Sequence, residues 1–273
     1  MTTHVAPPFQ IPQTLLDDLT KLGPLLDAAT QAGALGVEIF TNNIYQKPLD
    51  TDFKVVAYIL FTKGFKTFQS ATNLCRSGCG SDAISLCASL FENYVDLQYI
   101  AKAPVRRSAR FIQYEGVEKY YHLQKILANK RLPKGARKMY RAHEKKVAPR
   151  VAKLLRHFAN KTKGWSQKSI FERARAVRAQ LEYHELYWTF CLHKHTVPAV
   201  TGAIASSDAE LVYGPNITGV YEGAWYSTFC FVKLCDIYQR ALSLGLDARL
   251  KTVLDNASAA RDAVFASHRE LCT

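Results

Sequence analysis

The sequence predicts an all-α fold, a helical bundle of about seven to nine helices that includes one long basic helical hairpin. Glycine and proline are scarce, at 14 and 10 of 273 residues, so turn signals are few and the segments between them are long. Apolar residues recur at spacings of three and four, the helical period, and no alternating strand pattern exceeds four residues. Hydrophobic residues make up 48% of the chain and charged residues 22%, which indicates a folded protein rather than a disordered one.

The predicted helices follow one another with short breaks. After a loose N-terminus at residues 1–12, a leucine-rich pattern begins a helix at Pro12, and residues 33–50 are predicted to be irregular. Three further helices are predicted at about 52–76, 81–101 and 104–129, and a basic helix follows the turn at 132–135 and runs to about 161. Ser169 and Glu172 have the spacing of a capping box. Helical segments at about 181–195, 223–244 and 247–270 complete a single predicted domain over residues 13–273.

Glu92 is the polar residue that most needs an explanation, because the helix predicted at 81–101 is apolar over most of its circumference. A buried carboxylate is costly unless it is paired or hydrogen-bonded. Ala88 offers no partner one turn earlier in the same helix, so the partner is expected from another helix. The candidates are Arg110, Tyr187, His184 and His195.

Three histidines lie in the segment YHELYWTFCLHKH, residues 183–195. The leading interpretation is a structural polar cluster of Glu92, Tyr187 and His195, and catalysis by these three residues is the second. His184 and His193 are expected at the surface or half-buried. A zinc site formed by the three histidines is disfavoured, because positions 193 and 195 point apart on a helix. Neither a metal nor another cofactor is expected.

The positive charge of the chain is concentrated in one segment. Of a formal net charge of +13, residues 101–163 contribute +16, from 19 Lys and Arg and three acids, and the rest of the chain contributes −3. Such a local excess attracts polyanions, so the basic hairpin at 103–163 is predicted to bind RNA or another single-stranded nucleic acid. A solvated hairpin whose charge serves only solubility is the alternative. The residues expected to bind nucleic acid are Arg137, Lys138, Arg141, Lys145, Lys146 and Arg150.

The cysteines and the hydropathy indicate a cytoplasmic protein. Seven cysteines, an odd number with scattered spacing, do not form a disulfide framework, and we expect all of them to be reduced and most to be buried. No apolar run approaches the length of a membrane span, and the N-terminus lacks the pattern of a secretion signal.

A family resemblance appears in the run KTFQSATNLCRSGCGSDAISLCASLFENYVDLQYIAKAPVRRSARFIQY, residues 66–114, and again in GWSQKSIFERA and YHELYWTFCLHKH. Both blocks resemble the bacterial family named domain of unknown function five-six-seven-seven, over roughly residues 52–245. The family has no established activity, so the resemblance implies mainly the fold. The matching residues are Lys66, Ala71, Gly78, Asp82, Ala83, Ser89, Leu90, Phe91, Glu92, Tyr99, Ile100, Pro104, Arg110, Phe111, Tyr114, Trp165, Ser169, Ala174, Tyr183, Tyr187 and His195.

Two arginines of the family pattern are replaced, by Ala88 and Trp188. The second arginine precedes the histidine of the pattern in a spacing similar to that of HEPN domains, all-α nucleases of stress and phage-defence systems. The resemblance implies metal-independent RNA cleavage, in which the arginine steadies phosphate and the histidine moves a proton. Trp188 cannot replace that arginine, so the chain is either a degraded nuclease or uses a substitute cation such as Lys194.

Two hypotheses of different classes remain from the sequence. One is an RNA-binding, HEPN-like ribonuclease or its degraded form, and the other is a non-enzymatic helical protein-interaction module with a structural Glu/Tyr/His cluster. A second R-x6-H pair, Arg150 and His157, is attributed to chance, because arginine is common in the basic helix. A homodimer and an operon-encoded protein partner both stay open.

Overall fold

The computed structural model of the protein describes residues 12–44, 48–158, 163–194 and 215–272. Within these ranges the chain is helical and forms no strand, apart from an isolated parallel bridge between Cys79 and Asn216. The all-α prediction is therefore confirmed. The elements are α1 Gln13–Lys21, α2 Gly23–Ile44, α3 Asp52–Arg76, α4 Gly80–Ala101, α5 Pro104–Ala128, α6 Lys134–Leu155, α7 Ile170–Ala176, α8 Gln180–Glu182, a π-helical segment Tyr183–Tyr187, α9 Trp188–Lys194, α10 Val220–Leu242, α11 Asp247–Ser267 and a 3-10 turn Arg269–Leu271.

The predicted bounds of α3, α4 and α5 agree with the structure to within one residue. The prediction that residues 33–50 are irregular is wrong for residues 33–44, because α2 continues to Ile44. Burial accounts for the extra turns: Leu35 and Ile39 lie in the core, and Gly36 lets the rings of Phe65 and Phe231 approach the helix backbone. The basic helix, predicted to reach about residue 161, ends at Leu155, where the chain turns and buries Phe158.

The described residues fall into two compact units. Unit 1 draws on Met1–Pro48, Ile59–Tyr94 and Leu181–Thr273, and unit 2 draws on Leu49–Tyr58 and Val95–Gln180. The prediction that residues 13–273 behave as a single domain stays a prediction. No helix among the described residues is both long enough and apolar enough to cross a membrane.

An aromatic stack forms the centre of unit 1. The ring of Phe68 lies 4.3 Å from that of Phe231, and the ring of Phe61 lies 4.2 Å from that of Tyr238, measured between centroids. These four side chains are almost completely buried, and stacked rings add to the free energy of their burial. α10 therefore lies at the core of its unit. All seven cysteines are free and four of them are buried, as expected.

Unit 2 is organised by the α5–α6 hairpin and by a half-buried ion pair. Val117 of α5 and Val151 of α6 pack against Phe158 in a small apolar core. The Arg173 guanidinium lies 2.5 Å from the Asp96 carboxylate, which also accepts a hydrogen bond from the indole of Trp165 at 3.2 Å. The predicted capping box opens α7. There the Ser169 hydroxyl accepts from the Glu172 amide, and the Glu172 carboxylate accepts from the Ser169 amide.

Candidate nucleic-acid interface and polar cluster

Four cations form a line along the exposed face of α6, which we call the basic stripe: Lys134, Lys138, Arg141 and Lys145. Their spacing of four, three and four residues places them on one face of the helix. Val151 lies on another face of the helix, which packs on α5. At a rise of about 1.5 Å per residue, the basic stripe extends over roughly 16 Å. None of its four side chains forms an ion pair with any residue that the structure describes.

Of the three acids of the hairpin, Glu144 and Glu115 have partners of their own, and Glu118 is exposed and lines a groove beside α6. Glu144 is the single acid among residues 130–163, and it is half-buried. Its carboxylate accepts a hydrogen bond from the Gln124 amide of α5 at 2.5 Å, so it stabilises the contact between the two helices. On α5, Glu115 pairs with Lys119 of the same helix. The positive field of the basic stripe is therefore open to solvent and to a ligand.

Arg137 differs from the other residues expected to bind nucleic acid. Its guanidinium donates hydrogen bonds to the carbonyl oxygens of Leu127 at 3.0 Å and Asn129 at 2.8 Å. These carbonyls lie at the C-terminal end of α5, where helix geometry leaves acceptors without partners in the helix. Arg137 therefore ties the start of α6 to the end of α5. Lys146 and Arg150, like the basic stripe, are exposed.

Two members of the polar cluster predicted around Glu92, Glu92 itself and Tyr187, are in contact in unit 1. The Tyr187 hydroxyl donates a hydrogen bond of 2.6 Å to the Glu92 carboxylate, and the Lys194 ammonium lies 4.0 Å from the same oxygen. The prediction that Glu92 bonds to a side chain of the 181–195 segment is confirmed. Glu92 is half-buried, with 37% of its side chain exposed. Water therefore shares the solvation of this carboxylate, and the apolar helix tolerates it at low cost.

The surroundings of Tyr187 keep its phenol protonated, so the hydroxyl acts as a hydrogen-bond donor. Burial raises the pKa of the Tyr187 phenol well above its usual value, and its hydrogen bond to Glu92 raises it further. The phenol is therefore neutral at physiological pH and cannot act as a base. Tyr187 belongs to the π-helical segment, a distortion that is frequent at functional sites. Its ring lies 5.2 Å from those of Phe91 and Tyr183.

Of the three histidines, His184 and His193 lie within the described residues and have different surroundings. His195 lies outside the described residues, so its expected place in the cluster stays a prediction. His184 is exposed, and its ring meets the ring of Tyr183 edge-on at 5.5 Å. His193 is half-buried, and burial lowers the pKa of its imidazole. Over the residues that the structure describes, no group of three or more His, Cys, Asp or Glu side chains could hold a metal ion.

The positions of the replaced family arginines are also clear. Trp188 is 66% exposed at the start of α9, and Ala88 is buried within α4. Residues that sequence reasoning did not single out include Arg173, whose ion pair with Asp96 joins α7 to α4. The only sequence signal for that pair is a second acid in an apolar helix, one turn after Glu92.

Comparison with known proteins identifies the chain at the level of a family. No curated protein and no solved structure matches it. One family model, described as a family of unknown function (DUF5677), matches residues 54–210, a span that contains Glu92, Tyr187 and all of α6. Since this match covers more than half of the 273 residues, the chain belongs to the DUF5677 family.

Proposed function

We propose that the protein binds RNA or single-stranded DNA through the basic stripe of α6. The observation that carries this proposal is the line of four exposed cations without ion-pair partners among the described residues. Like charges on one helix face repel each other, so the stripe is most stable when anions lie beside it. A nucleic-acid backbone supplies regularly spaced phosphates, and its binding releases the counter-ions condensed on the strand.

The test is the salt dependence of binding by a variant in which Lys134, Lys138, Arg141 and Lys145 are all replaced by Gln. Glutamine keeps a high helix propensity, so α6 is retained while four charges are lost. Each lost phosphate contact reduces the slope of log K against log salt by about 0.7, so the slope falls by up to about 2.8. Fluorescence anisotropy with a labelled oligonucleotide from low to physiological salt measures this slope. Arg137 stays unchanged in this variant because it caps α5.

A matched control separates the basic stripe from net charge. Lys63, Lys66, Lys168 and Lys251 are exposed and form no side-chain ion pair with any described residue. Their replacement by Gln removes the same total charge, but we expect it to leave most of the slope. Equal losses in both variants would show that only overall charge matters. Wild-type affinity no higher than that of a neutral protein at low salt would end the proposal and favour the interaction-module hypothesis.

We further infer that binding occurs without cleavage. Trp188 brings no charge to the position of the family arginine, and the Lys194 ammonium already lies beside Glu92. A nuclease of HEPN type needs a cation that is free to stabilise phosphate. RNA incubated with the wild-type protein should therefore stay intact, and His195→Ala should leave its affinity unchanged. Metal-independent cleavage that His195→Ala abolishes would instead support the ribonuclease hypothesis.

A further inference from the structure

A groove lies between α5 and α6, on a different side of α6 from the basic stripe. Its volume is about 490 Å³, which falls within the range of small-molecule sites. Leu123 and Ile126 of α5 provide its apolar lining, and the rings of His122, Tyr140 and His143 line it as well. Glu118 and Lys119 complete the lining. All of these residues belong to unit 2.

The lining combines the two features that hold an unpaired base. Flat aromatic and imidazole rings stack on a base of any sequence, because every base has a π-face. The apolar side chains remove water from the rest of the base. Leu123 is buried and Tyr140 is half-buried, whereas His122 and His143 are exposed. The lining is therefore held partly by the hairpin core and is partly open to a ligand.

Two cations near the groove, against the single carboxylate of Glu118 in its lining, favour a nucleotide over an uncharged ring. His143, Lys146 and Arg150 follow one another at spacings of three and four, so they share one face of α6. Lys146 and Arg150 are exposed and have no ion-pair partner among the described residues. A strand whose base occupies the groove would thus have its phosphates beside these two cations.

We propose that the groove between α5 and α6 binds a nucleobase of the bound strand. Lys146 and Arg150 then contact the phosphates of that strand. This inference rests on the proposed function and deepens it, since it divides the hairpin into a stacking site and a sequence-independent basic stripe. It predicts that the bases of the strand contribute to affinity, and that this contribution is separable from the salt-dependent part.

The experiment compares a fluorescein-labelled ten-nucleotide poly(U) with an abasic oligonucleotide of the same length. For the wild type we expect the base-containing strand to bind on the order of tenfold tighter, the effect of stacking one base. Tyr140→Leu should reduce this ratio to near unity and leave the salt slope unchanged. His143 is exposed, so His143→Ala should not disturb folding, and it should also reduce the ratio. His184→Ala, which removes an exposed imidazole outside the hairpin, is the control and should keep it.

The outcomes distinguish a failure of this inference from a failure of the proposed function. The stripe variant should show a flattened slope and a preserved ratio. A wild-type ratio near unity with a steep salt slope would contradict nucleobase binding in the groove and still support binding by the basic stripe. If His143→Ala and a folded Tyr140→Leu both keep the wild-type ratio, the bases bind outside the groove and the inference is wrong. Absence of binding to both oligonucleotides would remove both proposals together. Circular dichroism and thermal unfolding establish that each variant is folded.

Discussion

The hydrogen bond between Tyr187 and Glu92 yields a quantitative prediction. Tyr187→Phe removes the hydroxyl and leaves the ring against Phe91 and Tyr183. A hydrogen bond to a charged acceptor contributes roughly 1.5–3 kcal/mol when the acceptor is buried. Because 37% of the Glu92 side chain is exposed, water competes for the carboxylate. We therefore expect Tyr187→Phe to cost about 1 kcal/mol of unfolding free energy.

A double-mutant cycle isolates this bond from other effects of each substitution. Glu92→Ala should also cost about 1 kcal/mol, since its other neighbour, Lys194, lies 4.0 Å away in a partly exposed pair of little energetic value. The double variant should then cost about 1 kcal/mol rather than 2, which corresponds to a coupling energy near 1 kcal/mol. Urea unfolding at pH 7, with m-values that match the wild type, measures all three differences. Additive costs would refute the reasoning.

The pH dependence gives an independent check of the same bond. The folded protein raises the pKa of Tyr187 above the usual 10.0, so below pH 10 the phenol is protonated in both the folded and the unfolded state. Its stabilising contribution is therefore constant up to that pH. It declines as the pH rises further, because the unfolded phenol loses its proton first. The stability difference between wild type and Tyr187→Phe should narrow above pH 10, whereas a constant difference would contradict the assigned pKa shift.

Two other predictions concern packing and burial. A Cβ at Gly80 would lie 2.2 Å from the backbone of Gly219, so Gly80→Ala should cost roughly 1–3 kcal/mol or more, whereas Gly116→Ala, with no neighbour within 4 Å, should be neutral or slightly stabilising. Thermal unfolding of the two variants compares them directly, and equal melting temperatures would contradict the packing argument. Burial raises the pKa of Glu222, so stability falls as the pH rises from the usual value of 4.5 through the raised one. Glu222→Gln should therefore be more stable than the wild type at pH 7 and should lose that advantage toward pH 4, and a variant that is less stable at pH 7 would refute this.

The helices that the sequence predicted well are those with local signals at their ends. Asp52 lies in the first turn of α3, and Gly78 follows that helix with a positive φ of 71°. Pro104 occupies the first turn of α5. The second half of α2 has no comparable signal. It is helical because Leu35 and Ile39 fit the core of unit 1, and that core depends on residues nearly two hundred positions later, such as Phe231.

The two candidate sites divide in the same way. The partner of Glu92 was predictable from physical chemistry alone, because a carboxylate in an apolar helix requires a donor and the 181–195 segment supplies one. The role of Arg137 could not be predicted in this way. Its acceptors are backbone carbonyls that have no partner within α5 because that helix ends at Ala128, and Arg137 reaches them because α6 folds back beside α5. From sequence, Arg137 is one cation among thirteen in the basic segment of residues 130–163.

The π-helical segment shows where helical periodicity no longer predicts which residues share a face. A comparison of helix faces before and after this segment assumes 3.6 residues per turn, but the backbone from Tyr183 to Tyr187 has the wider π-helical turn. Positions after this segment are therefore rotated from the ideal face, and faces can be compared by the ideal period only within α9. Trp188 is the first residue after the change and is exposed, whereas Phe190 is buried against Tyr226. Tyr187, which donates to Glu92, is the last residue of this segment, so the contact that the sequence predicted lies on a backbone distortion that the sequence did not predict.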